Sequence, residues 1–262
     1  MATTGADRVP RLTVVRRLEA AGFRAWPASS TYYDGTWAVR LTTSFPAKRL
    51  NSVNPLDPAD DVAIEARIER AGRRFAAAGR PLLFRQSPLA PPALVRHLDE
   101  AGWSSFGESI VYTADLATLD LADAIDRIPL QDARRYLEAS LAVHHRPASL
   151  REGLEAVLGS IRPPAAYFVR ESEDGTPIAV ALAISDNDLA GILDVAVHPS
   201  ARRRGIGIDL VATALRHTAH KGARTGWLQV EADNRAGRAL YARLGFAEAY
   251  RYVYRAPPGV AA

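Results

Sequence analysis

Two hydrophobic rhythms alternate along this chain, one of helical period and one of strand period, and they divide it into elements. VPRLTVVRRLEAAG, from Val9, has helical spacing and should stop at Gly22. TWAVRLTTSF alternates like a strand, and RLNSVNPL reads as its neighbour, ended by Pro55. DPADDVAIEARIERAGRRFAAAG is a helix whose early acids suit the dipole there. PLLFRQ is a short strand, PPALVRHLDEAGW a helix closed by Gly102, and SSFGESIVYTADL a strand. Beyond Asp115, IPLQDARRYLEASLAV and SLREGLEAVLGS are helices separated by HHRP. AAYFVRES and PIAVALAIS form a hairpin around EDGT. LAGILDVAVHP is a strand, GIGIDLVATALRHTAHKG a helix, GWLQVEA a strand, RAGRALYARLG a helix and FAEAYRYVYRAP the last strand.

The two halves end alike. LLFRQSPLAPPALVRHLDEAGW lies over WLQVEADNRAGRALYARLGF, with Gly102 against Gly245 and Trp103 against Phe246. We read this as a divergent duplication, with domains at residues 1–115 and 116–262. The copies differ at one place above all. The second has Arg202-x-x-Gly205-x-Gly207, where the first has NPLDPADD. Asn234 and Tyr241 in the second face Pro91 and Leu98 in the first. If one ligand-binding unit gave rise to both, only the second kept the ligand.

Composition narrows the chemistry. A chain of 262 residues can bury a full core without disulfides or metals. The apolar runs are short, so no membrane span is expected. MATTGADRVPR has no apolar signal region, so a cytoplasmic location is expected. No cysteine is present, which removes a thiol nucleophile and thiolate metal sites. No metal is expected. The net charge of +4 is carried almost wholly by arginine, with Lys48 and Lys221 the only lysines. It favours anionic ligands but forms no stripe outside one loop, so no nucleic-acid partner is expected.

That loop is VHPSARRRGIG, Val197 to Gly207. A strand, then arginines and glycines, then a helix start is the geometry of a phosphate cradle. Glycines admit an anion to the backbone, and Arg202, Arg203 and Arg204 add charge. A Rossmann G-x-G-x-x-G and a Walker G-K-[ST] are both absent.

LDVAVHPSARRRGIG followed by WLQVEADNRAGRALYARLGF resembles the GNAT superfamily of acetyl-CoA-dependent N-acetyltransferases, over roughly Ile128 to Ala256. The N-terminal half is similar to a bacterial branch of two-part GNAT proteins. The pattern there is W-x-x-R followed by R-x-N-S-V-x-P-L, matched by Trp37, Arg40, Arg49, Asn51, Ser52, Val53, Pro55 and Leu56. Mycothiol synthases resemble it in plan.

The resemblance implies an α/β (mixed α+β) fold: tandem GNAT folds, each a mixed, mostly antiparallel sheet flanked by helices, with splayed parallel central strands in the C-terminal copy. It implies that the backbone of Val195, Ala196 and Val197 holds the acetyl group and pantetheine arm of acetyl-CoA. The N–H groups of Arg203, Arg204, Gly205, Ile206, Gly207 and Ile208 would hold the pyrophosphate, with Arg202 adding charge. Asn234 would bond the pantetheine arm or hold the splay open. Ile208 stands where family members often carry a polar or basic residue.

Acetyl transfer to an amine needs a neutral amine, a donor to the carbonyl oxygen, and a proton for the departing thiolate. Without cysteine, direct attack in a ternary complex is the economical mechanism. We assign Val197 N–H as the oxygen's donor and Tyr241 as the acid, two helical turns after Asn234. Ribosomal-protein acetyltransferases of the superfamily carry a glutamate where this chain has Gln229, which cannot accept a proton. Glu231 and Asp194 are then the candidate bases; either equally fits a salt bridge to the arginines, and a water chain remains open. His144 and His145 fall in the loop that lines the acceptor side in the GNAT plan. Asp60, Asp61 and Glu65, if they faced the cleft, would favour a cationic acceptor.

The expected function is acetyl transfer from acetyl-CoA to a primary amine, first a small molecule, by a monomer or homodimer. The alternatives are a protein or peptide amine (lysine or N-terminal), or a protein that senses coenzyme A without catalysis.

Overall fold

The computed structural model describes residues 11–121, 124–125 and 128–260. The first half runs α1 (Leu12–Ala25), β1 (Ser30–Asp34), β2 (Trp37–Leu41), β3 (Ser52–Pro55), α2 (Ile64–Ala77), β4 (Phe84–Gln86), α3 (Pro92–Glu100) and β5 (Ser104–Asp115). The second runs α4 (Ala133–Val143), α5 (Arg151–Ser160), β6 (Ala165–Glu171), β7 (Pro177–Asp186), β8 (Leu189–Val197), α6 (Ile206–His220), β9 (Thr225–Glu231), α7 (Arg235–Arg243) and β10 (Ala247–Ala256).

Two local expectations are corrected. Helix α1 does not stop at Gly22 but continues to Ala25. Gly22 is a packing residue there: a Cβ on it would meet Gln229 Nε2 at 3.4 Å and Trp227 at 3.8 Å. The missing side chain lets α1 lie close on β9. Strand β1, STYYD, was not foreseen. Four of its five residues are exposed, so no inside–outside alternation marks it. The Asp34-Gly35 pair that turns it into β2 was the available signal, with Gly35 at φ +57°.

Among the described residues, ten strands form one sheet, in the order β1-β2-β3-β4-β10-β5-β9-β8-β7-β6. The expectation of one sheet per half is therefore corrected. Each half gives its last strand to the other: β10 pairs antiparallel with β4, and β5 pairs antiparallel with β9. The two donated strands then pair with each other along the middle of the sheet. The order is a palindrome once β1–β5 are matched to β6–β10, and each half holds one parallel pair, β3·β4 and β8·β9. Non-local pairing of this kind depends on tertiary packing rather than on local propensity.

Helices cover both faces. Leu18 of α1, Tyr136 and Leu137 of α4, and Leu154 of α5 bury against Trp227, Tyr250 and Tyr252. Leu210, Val211 and Leu215 of α6 and Tyr241 of α7 bury in a cluster with Ile110, Ala183 and Leu228. Phe75 of α2 and Leu94 and Leu98 of α3 close over Trp37 and Phe84. Each such fully buried side chain contributes about 1.5–3 kcal/mol. A buried polar tie joins the halves: Arg85 of β4 pairs with Glu19 of α1, which also accepts from Tyr250 Oη of β10 at 2.6 Å. Among the described residues, no helix is long and apolar enough to cross a membrane.

Candidate functional site

The site begins where β8 and β9 part. They pair from Leu189↔Thr225 to Ile192↔Leu228 and no further, although β8 continues to Val197 and β9 to Glu231. A bulge in β8 coincides with the parting. Its register against β7 shifts between Leu193 and Ala196, and Asp194 adopts φ +51°. Beyond the bulge, His198 N–H bonds the Ile178 carbonyl on the β7 side at 2.8 Å. Strand alternation therefore turns Val197 N–H the other way, toward the opening. Val195, Ala196 and Val197 line a cleft of about 1090 Å³ between the parted strands.

Asp194 fixes that bulge. Its side chain is only 3 % exposed and accepts from Ser140 Oγ at 2.6 Å, Tyr136 Oη at 2.9 Å and Arg146 at 2.8 Å, with His144 Nε2 at 3.1 Å. Burial alone would raise its pKa, but His144 and Arg146 override it and hold the carboxyl well below the ordinary range. Of the two readings open for Asp194, base or salt-bridge partner of an arginine, the pair with Arg146 and the depressed pKa favour the second. His144 is bound to Asp194, and His145 packs its ring against His198 at 4.9 Å, with φ +54°.

A stability prediction follows from the sign of that shift. The contribution of Asp194 is complete above about pH 4, where an unfolded aspartate is ionised, and is lost as pH falls through the depressed folded value. Asp194→Ala leaves Arg146 without its carboxylate and should cost ~3 kcal/mol at pH 7. Urea unfolding at pH 7 and in acid checks this; wild type and variant should converge in acid.

The arginine–glycine loop closes one end of the cleft. Helix α6 starts at Gly205, whose φ of +78° turns the chain into the helix, after Arg203 at φ +65°. The first N–H groups of α6, at Ile206, Gly207 and Ile208, have no carbonyl within the helix to bond and carry its positive dipole end. A Cβ at Gly207 would lie 3.0 Å from Leu240 Cδ1 and 3.3 Å from Val197 Cγ2. Arg202, Arg203, Gly205, Ile206, Gly207 and Ile208 all line the cleft. Arg202 Nε donates to the Val197 carbonyl at 3.0 Å. Arg204 is exposed and stands outside the lining residues.

Helix α7 supplies the opposite wall. Asn234 caps it, its Oδ1 accepting from Gly237 N–H at 2.9 Å. Tyr241 is buried with its ring 6.1 Å from Phe246, and burial pushes its phenol up to about 12. Glu231, the last residue of β9, is exposed at the cleft. Gln229 accepts from Tyr252 Oη at 3.1 Å, so a β10 tyrosine occupies the acceptor atom of that amide.

The first half walls the remaining side with Trp26, Phe45, Lys48 and Arg49, and β10 adds Tyr252 and Tyr254. In the sequence Arg49 is one letter of a pattern, and no motif marks Lys48, Tyr252 or Tyr254. Asp60 lies elsewhere, bound to Arg67 at 2.8 Å and to Thr36 Oγ1 at 2.6 Å, and neither it nor Asp61 nor Glu65 lines the cleft. Among the described residues, no group of three or more His, Cys, Asp or Glu could hold a metal.

Comparison with known proteins gives the following. The model of the "Acetyltransferase (GNAT) family" matches residues 130–246. The uncharacterized N-acetyltransferase YobR of Bacillus subtilis is 21% identical over 248 residues, 92% of this chain and 98% of that protein. The [ribosomal protein bS18]-alanine N-acetyltransferase of Escherichia coli K12 is 36% identical over 78 residues, 30% of this chain and 53% of that protein. A solved tandem GNAT protein from the clavulanic acid biosynthesis pathway superposes with a TM-score of 0.63 at 16% identity, covering 94% of this chain and 89% of that one.

Proposed function

We propose that the chain is a GNAT-type acetyltransferase in which residues 193–241 bind acetyl-CoA and transfer its acetyl group directly to a primary amine. The observation that carries this is the parting of β8 from β9 beside a glycine-lined helix start. The fit to acetyl-CoA is chemical. Its pyrophosphate needs N–H groups and cations without intruding side chains, which the loop at Gly205 and Gly207 provides. Its amide-bearing arm needs strand-edge hydrogen bonds, which β8 leaves free beyond Ile192.

When bound, acetyl-CoA supplies an acetyl thioester. Val197 N–H donates to the carbonyl oxygen as negative charge gathers there. Tyr241 keeps its proton through neutral pH and delivers it to the departing sulfur. Glu231 takes the proton lost by the amine, directly or through water. Asn234 holds the start of α7 and so the distance of Tyr241 from the splay. Residues 1–115 and 116–262 act as two copies of one unit, a reading supported by the palindromic strand order; the first copy walls the acceptor side.

The acceptor is read in two ways. The 78-residue match to an enzyme named for alanine acetylation on a ribosomal protein favours a protein or peptide amine. The wall of Trp26, Phe45 and Lys48 favours a small amine. Calorimetric titration with acetyl-CoA is the first test. Micromolar binding supports the cofactor assignment, and the absence of both heat and thermal shift overturns it. Thiol release with peptide amines and with small amines then separates the two acceptor classes.

A further inference from the structure

We infer that the acceptor end of the cleft is an anion subsite, in which Lys48 and Arg49 bind a carboxylate carried by the amine substrate. This rests on the acyl-transfer reading and adds the substrate's chemical class to it.

Charge at this end of the cleft is unbalanced. Lys48 and Arg49 lie on a 3-10 turn, Lys48–Leu50, half-buried and lining the cleft. Neither has a carboxylate within ion-pair distance among the described residues. Lys48 Nζ instead lies 5.2 Å from the Phe106 ring and 5.3 Å from the Tyr254 ring. Behind them are Arg40 and Arg85. Arg85 holds Glu19, and Glu19 also receives Tyr250. Arg40 is fully buried but donates only to carbonyls, of Trp26 at 2.7 Å and Arg49 at 2.9 Å, and its Nε has no partner. Burial, then Arg85 and Arg49, push its guanidinium down to about 9. Four cations thus share one carboxylate that is already taken.

Other sheltered arginines of the fold do have carboxylates of their own. Arg67 has Asp34 and Asp60, Arg146 has Asp194, and Arg255 has Asp99. Desolvated charge without a counter-charge is costly, so an excess held at a cleft wall calls for an anion from outside. The same charges favour the neutral form of an amine held nearby, which is the form that attacks.

The register fixes the spacing. Glu231 faces Ser109 on β5, and Ser109 faces Tyr252 on β10. Tyr252 is therefore two strand spacings from Glu231, ~10 Å. Arg49 acts on the Tyr252 phenol, with Arg85, to lower its pKa against the opposing effect of burial. An amine presented near Glu231 then has its carboxylate several bonds away, as in an ω-amino acid or a peptide with an acidic second residue.

The test has a binding arm and a turnover arm. The protein is saturated with coenzyme A, so that the arginine–glycine loop is filled, and titrated with succinate against sodium chloride of equal ionic strength. Succinate should raise the thermal midpoint of wild type and leave Lys48→Gln/Arg49→Gln unmoved. No shift in wild type, or an equal shift in the variant, overturns the subsite. Should the double variant not fold, Lys48→Met, whose stem still covers Phe106 and Tyr254, must lose part of the shift; a full shift there overturns the subsite. In turnover, ω-amino acids are compared with their amides, and tripeptides with Asp second are compared with those with Asn. The double variant should raise KM for the carboxylate member about 10- to 100-fold, with the acetyl-CoA Kd unchanged. Preference for the amide in wild type, or a lost acetyl-CoA affinity in the variant, overturns the proposal. Which pair responds identifies a small amine or a peptide. Failure of wild type to bind acetyl-CoA would instead refute the acyl-transfer reading, and with it the amine substrate on which this subsite rests.

Discussion

Gly207→Glu should abolish acetyl-CoA binding while leaving the fold intact. The site has no room for a Cβ without movement of Val197, whose Cγ2 would lie 3.3 Å away, and of Leu240, at 3.0 Å. Val197 belongs to the strand edge proposed to grip the ligand, so the displacement is felt at both ends of it. The added carboxylate also stands at the first turn of α6, where the proposed ligand brings its own negative charge. The neighbours must give by a few tenths of an ångström, which moves the strand edge, and the carboxylate takes the helix start for itself and repels the ligand's phosphates. Together these effects weaken binding by at least ~100-fold. Calorimetry on wild type and variant reads this directly. A variant that binds acetyl-CoA as wild type does would remove the loop from the cofactor site.

Tyr241→Phe should lower kcat about 100-fold at an unchanged acetyl-CoA Kd. The substitution keeps the ring that packs on Phe246 and removes only the hydroxyl. Because burial pushes the phenol up to about 12, the group is protonated at every pH below that value. It is therefore a proton donor throughout the neutral range, and an alkaline fall in rate near pH 9 would belong to another group. Single-turnover thiol release across pH 6–10 tests both points. Undiminished turnover would make Tyr241 a packing residue only.

The sequence was most legible where the candidate site is built of backbone. Gly205 and Gly207 with their arginines form one local run, and local runs carry their geometry with them. The helices and most strands were legible for the same reason. The partners of Asp194 were not. Tyr136, Ser140, His144 and Arg146 lie 48 to 58 positions upstream and reach it only because α4 crosses β8. A carboxylate next to a cofactor strand reads as a base in a sequence and becomes an anchor once four donors surround it. Arg49 was visible only as a letter in a motif; its lack of a counter-charge is a property of folded neighbours. The exchange of β5 and β10 left no trace in hydropathy, since runs of buried positions mark a strand as central without saying which strands flank it.

That exchange sets an order of assembly. During synthesis the sheet of the first half lacks the strand beside β4 until residues 247–256 have left the ribosome, because β10 fills that place. Tyr252 and Tyr254, which line the acceptor wall, arrive with it. The contacts that close the molecule join positions more than a hundred residues apart, such as Tyr252 with Ser109 and Arg255 with Asp99. Loop closure over such lengths is slow, so the nascent first half waits with open strand edges, exposed to wrong partners. A cleft whose wall is the last strand to dock is also one that no partially made chain can operate.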